Sequence, residues 1–418
     1  MDFICVVMLM NRRRWCKYIL YFFLFVIALI GNVSVSKSAT KRNVIFVSTD
    51  GKQNAPGDIN HPKSSLQEAL NLAHPGTTIY LRKGTYKGSY VFHHSGSRKR
   101  GYITVSAYKK EKVTISNQKN ADGAAFNLNG CHYIRIQNLN IANLEAKNVY
   151  GVLLANSEHH ITIKKCEFKK IVTTYPGTEY TPGGNSNAIL LLGQKKKSIH
   201  HIYITGNKIH ENVNGWSENI SITGNCTRVF VRNNKVFNNT NIGIDFYGNA
   251  HYCSKPSLDQ PRFCECTGNT VYNCKSPFAE NAGIYIDGAK NILLKKNKVY
   301  NNFYGIEIGS EEWGKHHSPK NRVQNVVVTN NLLYKNIQCG LRLGGWTNDN
   351  RTGVVYNCKI IHNDFTKGNS KDGTEIILAK CDNILFKGNR FKNNANCKSV
   401  IYYDEKIDKS KITNIKFR

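Results

Sequence analysis

The sequence predicts an all-β fold: a single-stranded right-handed parallel β-helix (a solenoid) with asparagine ladders and a short N-terminal capping helix. Three observations predict it. A short phrase recurs through the body of the chain, the phrase alternates with a period of two, and each copy carries an Asn in the same slot. The composition fits this. With 418 residues, 40% of them hydrophobic, and 22 Tyr, the chain is too apolar and aromatic for disorder and has no collagen or coiled-coil bias.

Residues 1–39 read as a secretory signal peptide. Arg12, Arg13, Arg14 and Lys17 precede an apolar run from Tyr18 to Ile30, and small or polar residues follow from Ser34 to Ala39. The run is shorter than the roughly 20 residues a membrane span needs. An uncleaved anchor is the alternative. The mature chain is expected to be secreted, extracellular or periplasmic, with no stable membrane insertion after signal removal, and monomeric.

Of the 13 cysteines, Cys5 and Cys16 lie in the signal, leaving an odd number that cannot all pair within one chain. Individual disulfides remain compatible with an oxidising compartment. Cys253, Cys264, Cys266, Cys274 and His251 cluster in sequence, but Cys264-Glu265-Cys266 fits no standard zinc spacing. Buried thiols or one local disulfide are the expectation there.

Residues 40–90 read as an N-terminal cap. Val44–Gly51 has the pattern of a strand and turn. Ser64–Ala73 fits a short amphipathic helix with Leu66, Ala69, Leu70 and Ala73 on one face, and residues 75–86 follow as turn and strand. Such a helix covers the exposed first coil of a solenoid.

Residues 91–418 carry the repeat. Two apolar residues stand at i and i+2, Asn at i+5 and an apolar residue at i+7. The copies begin at Ile202, Val229, Cys264, Ile292, Val326, Cys358 and Ile384, which places the recurrent Asn at 207, 234, 269, 297, 331, 363 and 389. Weaker copies at Ile134 and Ile161 hold Leu139 and Cys166 in the Asn slot. Coils of a parallel β-helix stack about 4.8 Å apart, so an Asn at each corner is expected to bond up and down one internal column.

A second phrase, Gly-apolar-x-apolar, follows the Asn. It gives Gly243-Ile244-Asp245-Phe246, Gly283-Ile284-Tyr285-Ile286, Gly305-Ile306-Glu307-Ile308 and Gly340-Leu341-Arg342-Leu343, with Asn219-Ile220-Ser221-Ile222 before and Gly373-Thr374-Glu375-Ile376 after. With the apolar residues inward, x points out. The expected column is Ser221, Asp245, Tyr285, Glu307, Arg342 and Glu375, with Tyr247 and Asp287 two residues further along the same face. An outward Arg342 is expected to add little to the core. The plain alternative is a charged ladder that keeps a flat sheet soluble. Against it, a chain poor in acids gathers three on one face beside Tyr247 and Tyr285. Long inserts at 249–262 and 310–322, the latter with Trp313, flank the face as groove walls, and Glu218 stands at the rim.

The phrases Gly305-Ile306-Glu307-Ile308-Gly309 and Gly340-Leu341-Arg342-Leu343-Gly344-Gly345 are similar to the active-site coils of family 9 polysaccharide lyases, secreted proteins of pectin-lyase-like fold. That resemblance implies a calcium-ligand position at Glu307 and the position of the catalytic base, a Lys in the family, at Arg342. Ala282 and Tyr304 stand where the family has acidic residues. A second resemblance, to β-helix glycoside hydrolases, rests on Gly283-Ile284-Tyr285-Ile286-Asp287 followed by Glu307. Adjacent coils with a two-residue offset put those carboxyls roughly 8 Å apart, nearer the inverting than the retaining arrangement.

The net charge of +30, from 58 Lys and Arg against 28 Asp and Glu, predicts an anionic partner: nucleic acid, a membrane surface or an acidic polymer. Export and the lack of a reading module weigh against nucleic acid. β-Elimination on an acidic, uronate-containing polysaccharide is therefore the expected activity. Arg342, Glu307 and Asp287 are the catalytic candidates, and Asp245, Asp287 and Glu307 the candidate ligands of a calcium cofactor. Tyr247, Tyr285, Trp313, Trp346 and Glu218 are the candidate substrate contacts. The alternatives are a hydrolase using Asp287 and Glu307, or a non-catalytic glycan-binding surface.

Overall fold

The structure is a computed structural model that describes residues 43–117, 119–181, 183–311, 322–345, 353–366, 374–392, 399–404 and 409–418. The expected signal segment 1–39 lies outside the described residues, as do Trp313 and Trp346.

The chain winds as a right-handed parallel β-helix. Each coil gives one strand to each of three sheets, here called I, II and III, which among the described residues hold 13, 11 and 11 strands. One coil runs Ile199–Thr205 in sheet I, Lys208–His210 in sheet II and Ile220–Gly224 in sheet III; Cys226–Arg232 then returns to sheet I. Period-two alternation builds the core. Ile202 and Ile204 stack on Ile161 and Ile163 of one neighbouring coil and on Val229 and Val231 of the other, all fully buried.

The turn from sheet I to sheet II explains the recurrent Asn. The residue before it (Gly206, Asn233, Gly268, Lys296, Asn330, His362 or Gly388) adopts a left-handed conformation with φ between 54° and 66°. That single residue bends the chain and delivers the following Asn into the interior. The expected column forms. Asn207 donates to Asn234 (3.0 Å), Asn234 to Asn269 (3.0 Å), Asn269 to Asn297 (3.1 Å), Asn297 to Asn331 (2.9 Å), Asn331 to Asn363 (2.9 Å) and Asn363 to Asn389 (3.0 Å). At its foot, the backbone N–H of Cys166 donates to Asn207 Oδ1 at 3.0 Å.

A second ladder, not anticipated, lies five residues further on at the corner between sheets II and III. The backbone N–H of Asn212 donates to Asn239 Oδ1 (3.0 Å), that of Cys274 to Asn302 Oδ1 (3.0 Å) and that of Asn302 to Asn336 Oδ1 (3.2 Å). Each buried amide serves backbone groups that water cannot reach. Asn297→Leu leaves the Asn269 backbone N–H and side-chain amide without their acceptor and the Cys266 carbonyl without its donor. Chemical denaturation should show a loss of about 3 kcal/mol or more.

The capping helix spans Leu66–Leu72, with Ser65 as N-cap accepting from the Glu68 N–H, and buries Leu66, Ala69 and Leu70. The segment 40–90 is more than a cap, however. Val44–Lys52 already pairs with Thr78–Leu81 in sheet I, and Gly84–Lys87 and Tyr90–Val91 open sheets II and III. Strong strand formers there join the first coil because the helix alone cannot bury their apolar faces.

All ten described cysteines are free and buried. Cys264, Cys266 and Cys274 occupy inward positions among the aliphatic residues, where burial pushes each thiol up to about 12. They are core residues, inert as ligands or nucleophiles. No helix among the described residues is long and apolar enough to cross a membrane.

Candidate functional site

The outward column forms on sheet III. Ser221 pairs with Asp245, Asp245 with Tyr285, Tyr285 with Glu307, and Glu307 with Arg342 on successive coils. Glu375 does not extend it. Ile376 and Leu378 are the residues that stack inward on Leu341 and Leu343, so Ile377 stands beside Arg342. Glu375 instead lies over the space left by Gly340, its Oε2 3.3 Å from where a Cβ there would sit. Tyr247 and Asp287 lie at the next outward position, level with Thr223 and Gly309 respectively.

Ser221, Asp245, Tyr247, Tyr285, Asp287 and Glu307 form the floor of a cleft of about 1110 Å³. Asp245, Tyr285, Asp287 and Glu307 line it together with Tyr247, Glu218 and Glu311. The expected open groove is in fact deep. Asp245, Asp287 and Glu307 are only 2–4% exposed. Asp245 Oδ1 is buried without a hydrogen-bond partner, and Asp287 Oδ1 accepts the Glu311 backbone N–H at 2.9 Å. The Tyr285 hydroxyl donates to Glu311 Oε1 at 3.2 Å.

Such crowding changes the acids. Burial first, then the neighbouring charges of Glu218 and Glu311, hold the Asp245 carboxyl well above the ordinary range. Asp287 is raised in the same way by burial, Glu311 and Asp245. Burial pushes Glu307 up to about 7, although Arg342 pulls it down. In metal-free buffer these groups therefore bind protons more tightly folded than unfolded. Their stabilisation is full below the ordinary carboxyl value and is lost as pH rises through the folded value. Glu307 alone accounts for about 3 kcal/mol between pH 4.5 and 7. Thermal unfolding should shift to lower temperature over that window, and added calcium should reverse the shift if the acids bind it.

Arg342 is not part of the cleft lining. Its side chain is buried beside Glu307, with Nε 3.6 Å from Glu307 Oε1 and Nη1 3.5 Å from Glu280 Oε2. It also donates to the Tyr304 hydroxyl and, at 2.9 Å, to the Gly345 carbonyl. Burial alone would weaken its protonation, but the charge of Glu307 outweighs that and strengthens it. So firmly protonated a guanidinium cannot take a proton from a substrate. The expectation of a catalytic base at Arg342, with little part in the core, is corrected: the register is as read, but Tyr304 covers the side chain.

The walls come partly from the expected inserts and partly from turns that the sequence did not single out. Trp216 stacks on Phe278, with centroids 5.5 Å apart and planes at 25°, and its indole N–H donates to the Thr178 carbonyl at 2.9 Å. Tyr180 contributes from the 174–185 loop, and Tyr252 from the expected 249–262 insert, edge-on to Tyr247. The one available signal was position: Trp216 and Phe278 each fall just before a sheet III strand. Among the described lining residues there is no Lys, Arg or His.

A cleft on the third sheet of a parallel β-helix, floored by acids and walled by aromatics, is accompanied by a family match. Residues 45–276, more than half of the chain, match the Pel9A-like right-handed β-helix region. The chain belongs to the Pel9A-like β-helix family. A general right-handed β-helix region matches residues 257–418. Among relatives of this Pel9A-like chain, the uncharacterized protein YwoF of Bacillus subtilis (strain 168) is 30% identical over 380 residues, which is 84% of this chain and 77% of that protein. Pectate lyase PEL9 of Emericella nidulans is 28% identical over 164 residues, covering 35% of this chain and 37% of that enzyme. Among solved structures, PfbA, a surface adhesin of Streptococcus pneumoniae, superposes with a TM-score of 0.56 at 15% identity over 89% of both chains. That likeness is one of fold.

Proposed function

We propose that the protein is a secreted polysaccharide lyase that cleaves a uronate-containing polysaccharide by β-elimination in the sheet III cleft. The observation that carries this reading is the convergence of Asp245, Asp287, Glu307, Glu218 and Glu311 in an aromatic-walled cleft whose described lining has no cationic side chain. So acidic a cleft repels a uronate unless a cation sits between them. The donors are of the kind a hard divalent ion takes, oxygens only, one of them the unpartnered Asp245 Oδ1; no three of these carboxylates lie within 4.8 Å of one another as the side chains stand, so an ion would have to draw them together. Asp245, Asp287 and Glu311 would hold calcium, which when bound neutralises the substrate carboxylate and acidifies the C5 proton. The partial match to an enzyme named pectate lyase supports the same substrate class.

Glu307 is then the base. It takes the proton from C5, the electron pair forms the C4–C5 double bond, the C4–O4 bond breaks, and the protonated Glu218 supplies a proton to the leaving oxygen. Arg342 positions Glu307 from below and does not touch the sugar. Trp216, Phe278 and Tyr247 face the sugar rings. The signal-like segment 1–39 supports secretion, with cleavage near Ser36–Ala39.

A hydrolase reading has one observation in its favour: Asp287 and Glu307 both hold their protons unusually tightly, as a general acid must. The mature protein should be incubated with a panel of polyuronates and neutral glycans, with and without calcium. Ultraviolet-absorbing unsaturated ends, formed from a polyuronate and lost in chelator, are the expected result. Reducing ends without unsaturation would replace the lyase by the hydrolase, and saturable binding with neither product would leave a glycan-binding surface.

A further inference from the structure

Sheet I carries a second group of convergent side chains that the cleft chemistry does not use. The strands His159–Lys164 and Ile199–Thr205 each carry two consecutive histidines near the start, His159-His160 and His200-His201. Strict alternation would turn one of each pair inward. The second of each instead adopts a left-handed conformation, φ 55° at His160 and 54° at His201, and all four rings remain on the outer side. The Nδ1 atoms meet within each pair, at 2.9 Å in the first and 2.7 Å in the second. Between coils the rings lie face to face, His159 on His200 at 4.9 Å and His160 on His201 at 4.8 Å.

The same left-handed position recurs along the sheet, filled by Tyr133 in the coil before and by Arg228, Phe263, Asn291, Asn325, Asn357 and Asn383 in the coils after. The four Asn amides stack at 2.8, 2.7 and 3.1 Å. Asn and His both tolerate this backbone conformation better than most residues. In the two histidine coils this position presents imidazoles whose ring nitrogens converge with those of the neighbouring coil.

We propose that His160, His200 and His201 form a binding site for a divalent transition-metal ion of the zinc, nickel or copper class, on a different sheet from the acidic cleft. One ring nitrogen from each of the three lies within 4.8 Å of the others. Tetrahedral zinc–nitrogen bonds of about 2.0–2.1 Å bring ligand nitrogens roughly 3.4 Å apart. Half-exposed rings reach that spacing by small side-chain rotations. Imidazole donors with no carboxylate among them select this class of ion over calcium or magnesium. Lys197, Arg228 and Arg98 are the cations that oppose binding. The remaining coordination positions are open to water.

The test is zinc titration of untagged, chelator-stripped protein in competition with a chromogenic chelator, with thermal unfolding followed in parallel. One equivalent should bind, calcium should not displace it, and zinc should raise the unfolding temperature. The double variant His160→Asn/His201→Asn, which installs the residue used by four of the later coils, should fold as well as the parent without zinc. It should lose at least tenfold in zinc affinity and the whole thermal shift. His200→Gln, at a position of ordinary backbone, should weaken binding independently. An absence of zinc binding by the parent, or parent-like stoichiometry and affinity in both variants, would overturn the proposal.

Discussion

Glu307→Gln should reduce kcat/KM on the cleaved polyuronate by about a thousandfold or more, with an unfolding temperature close to the parent's near pH 4.5 and above the parent's near pH 7. The expectation rests on where Glu307 sits. It is a buried carboxyl that both lines the cleft and lies against a fixed cation, Arg342, at 3.6 Å, whereas Glu280, the other lining carboxyl beside Arg342, is half exposed. Pushed up to about 7, it can hold or release a proton near neutrality, as a general base or acid requires. An amide keeps the shape and much of the hydrogen bonding but cannot take the proton. Near pH 4.5 both the native carboxyl and the amide are neutral, so the replacement costs the fold little, and towards pH 7 the amide escapes the proton uptake that weighs on the parent. Initial rates of unsaturated product, together with thermal unfolding, check both halves of the claim.

Arg342→Ala should be costly in a different way. The side chain is 6% exposed, and its removal takes the near cation from buried Glu307 and a donor from the Gly345 carbonyl. Breaking a buried charge pair from one side typically costs about 3–5 kcal/mol. Arg342 also lowers the Glu307 carboxyl against burial, so its loss raises that group further. The pH–rate profile of Arg342→Ala should therefore move to higher pH, whereas Arg342→Lys should restore much of the profile. A base at this position would predict lost activity with an unchanged profile and an unchanged fold.

Arg342 also shows what the sequence could and could not reveal. The period-two phrase placed it beside Glu307, as the register confirms. Whether an outward side chain meets solvent depends on what covers it, and Tyr304, from the residue just before the next lower strand phrase, is invisible to a strand pattern. The first Asn ladder was legible because each copy sets the same side chain after the same turn. The second was equally regular, at a fixed five-residue offset. Cys274 replaces Asn in one coil and hid it from a search for identical residues. Glu375 was misplaced for a physical reason: Thr374 resembles an inward residue in the phrase, but Ile376 and Leu378 gain more by burial and set the register two residues later. The cleft walls were the least legible part. Trp216, Phe278 and Tyr180 come from turns of unequal length, and only stacking of the coils brings them over the acids.

The acid cluster explains why a chain of net charge +30 keeps its carboxylates together. On the proposed reading the positive surface would gather an acidic polymer, and the acids in the cleft would act on it with a bridging cation. The most direct measurement is a crystal structure of Glu307→Gln with calcium and an oligouronate. The account predicts the saccharide in the sheet III cleft between Trp216 and Tyr247, with one uronate carboxylate and a calcium ion against Asp245 and Asp287. An oligouronate bound elsewhere on the solenoid, or a cleft that takes up neither calcium nor sugar, would contradict it.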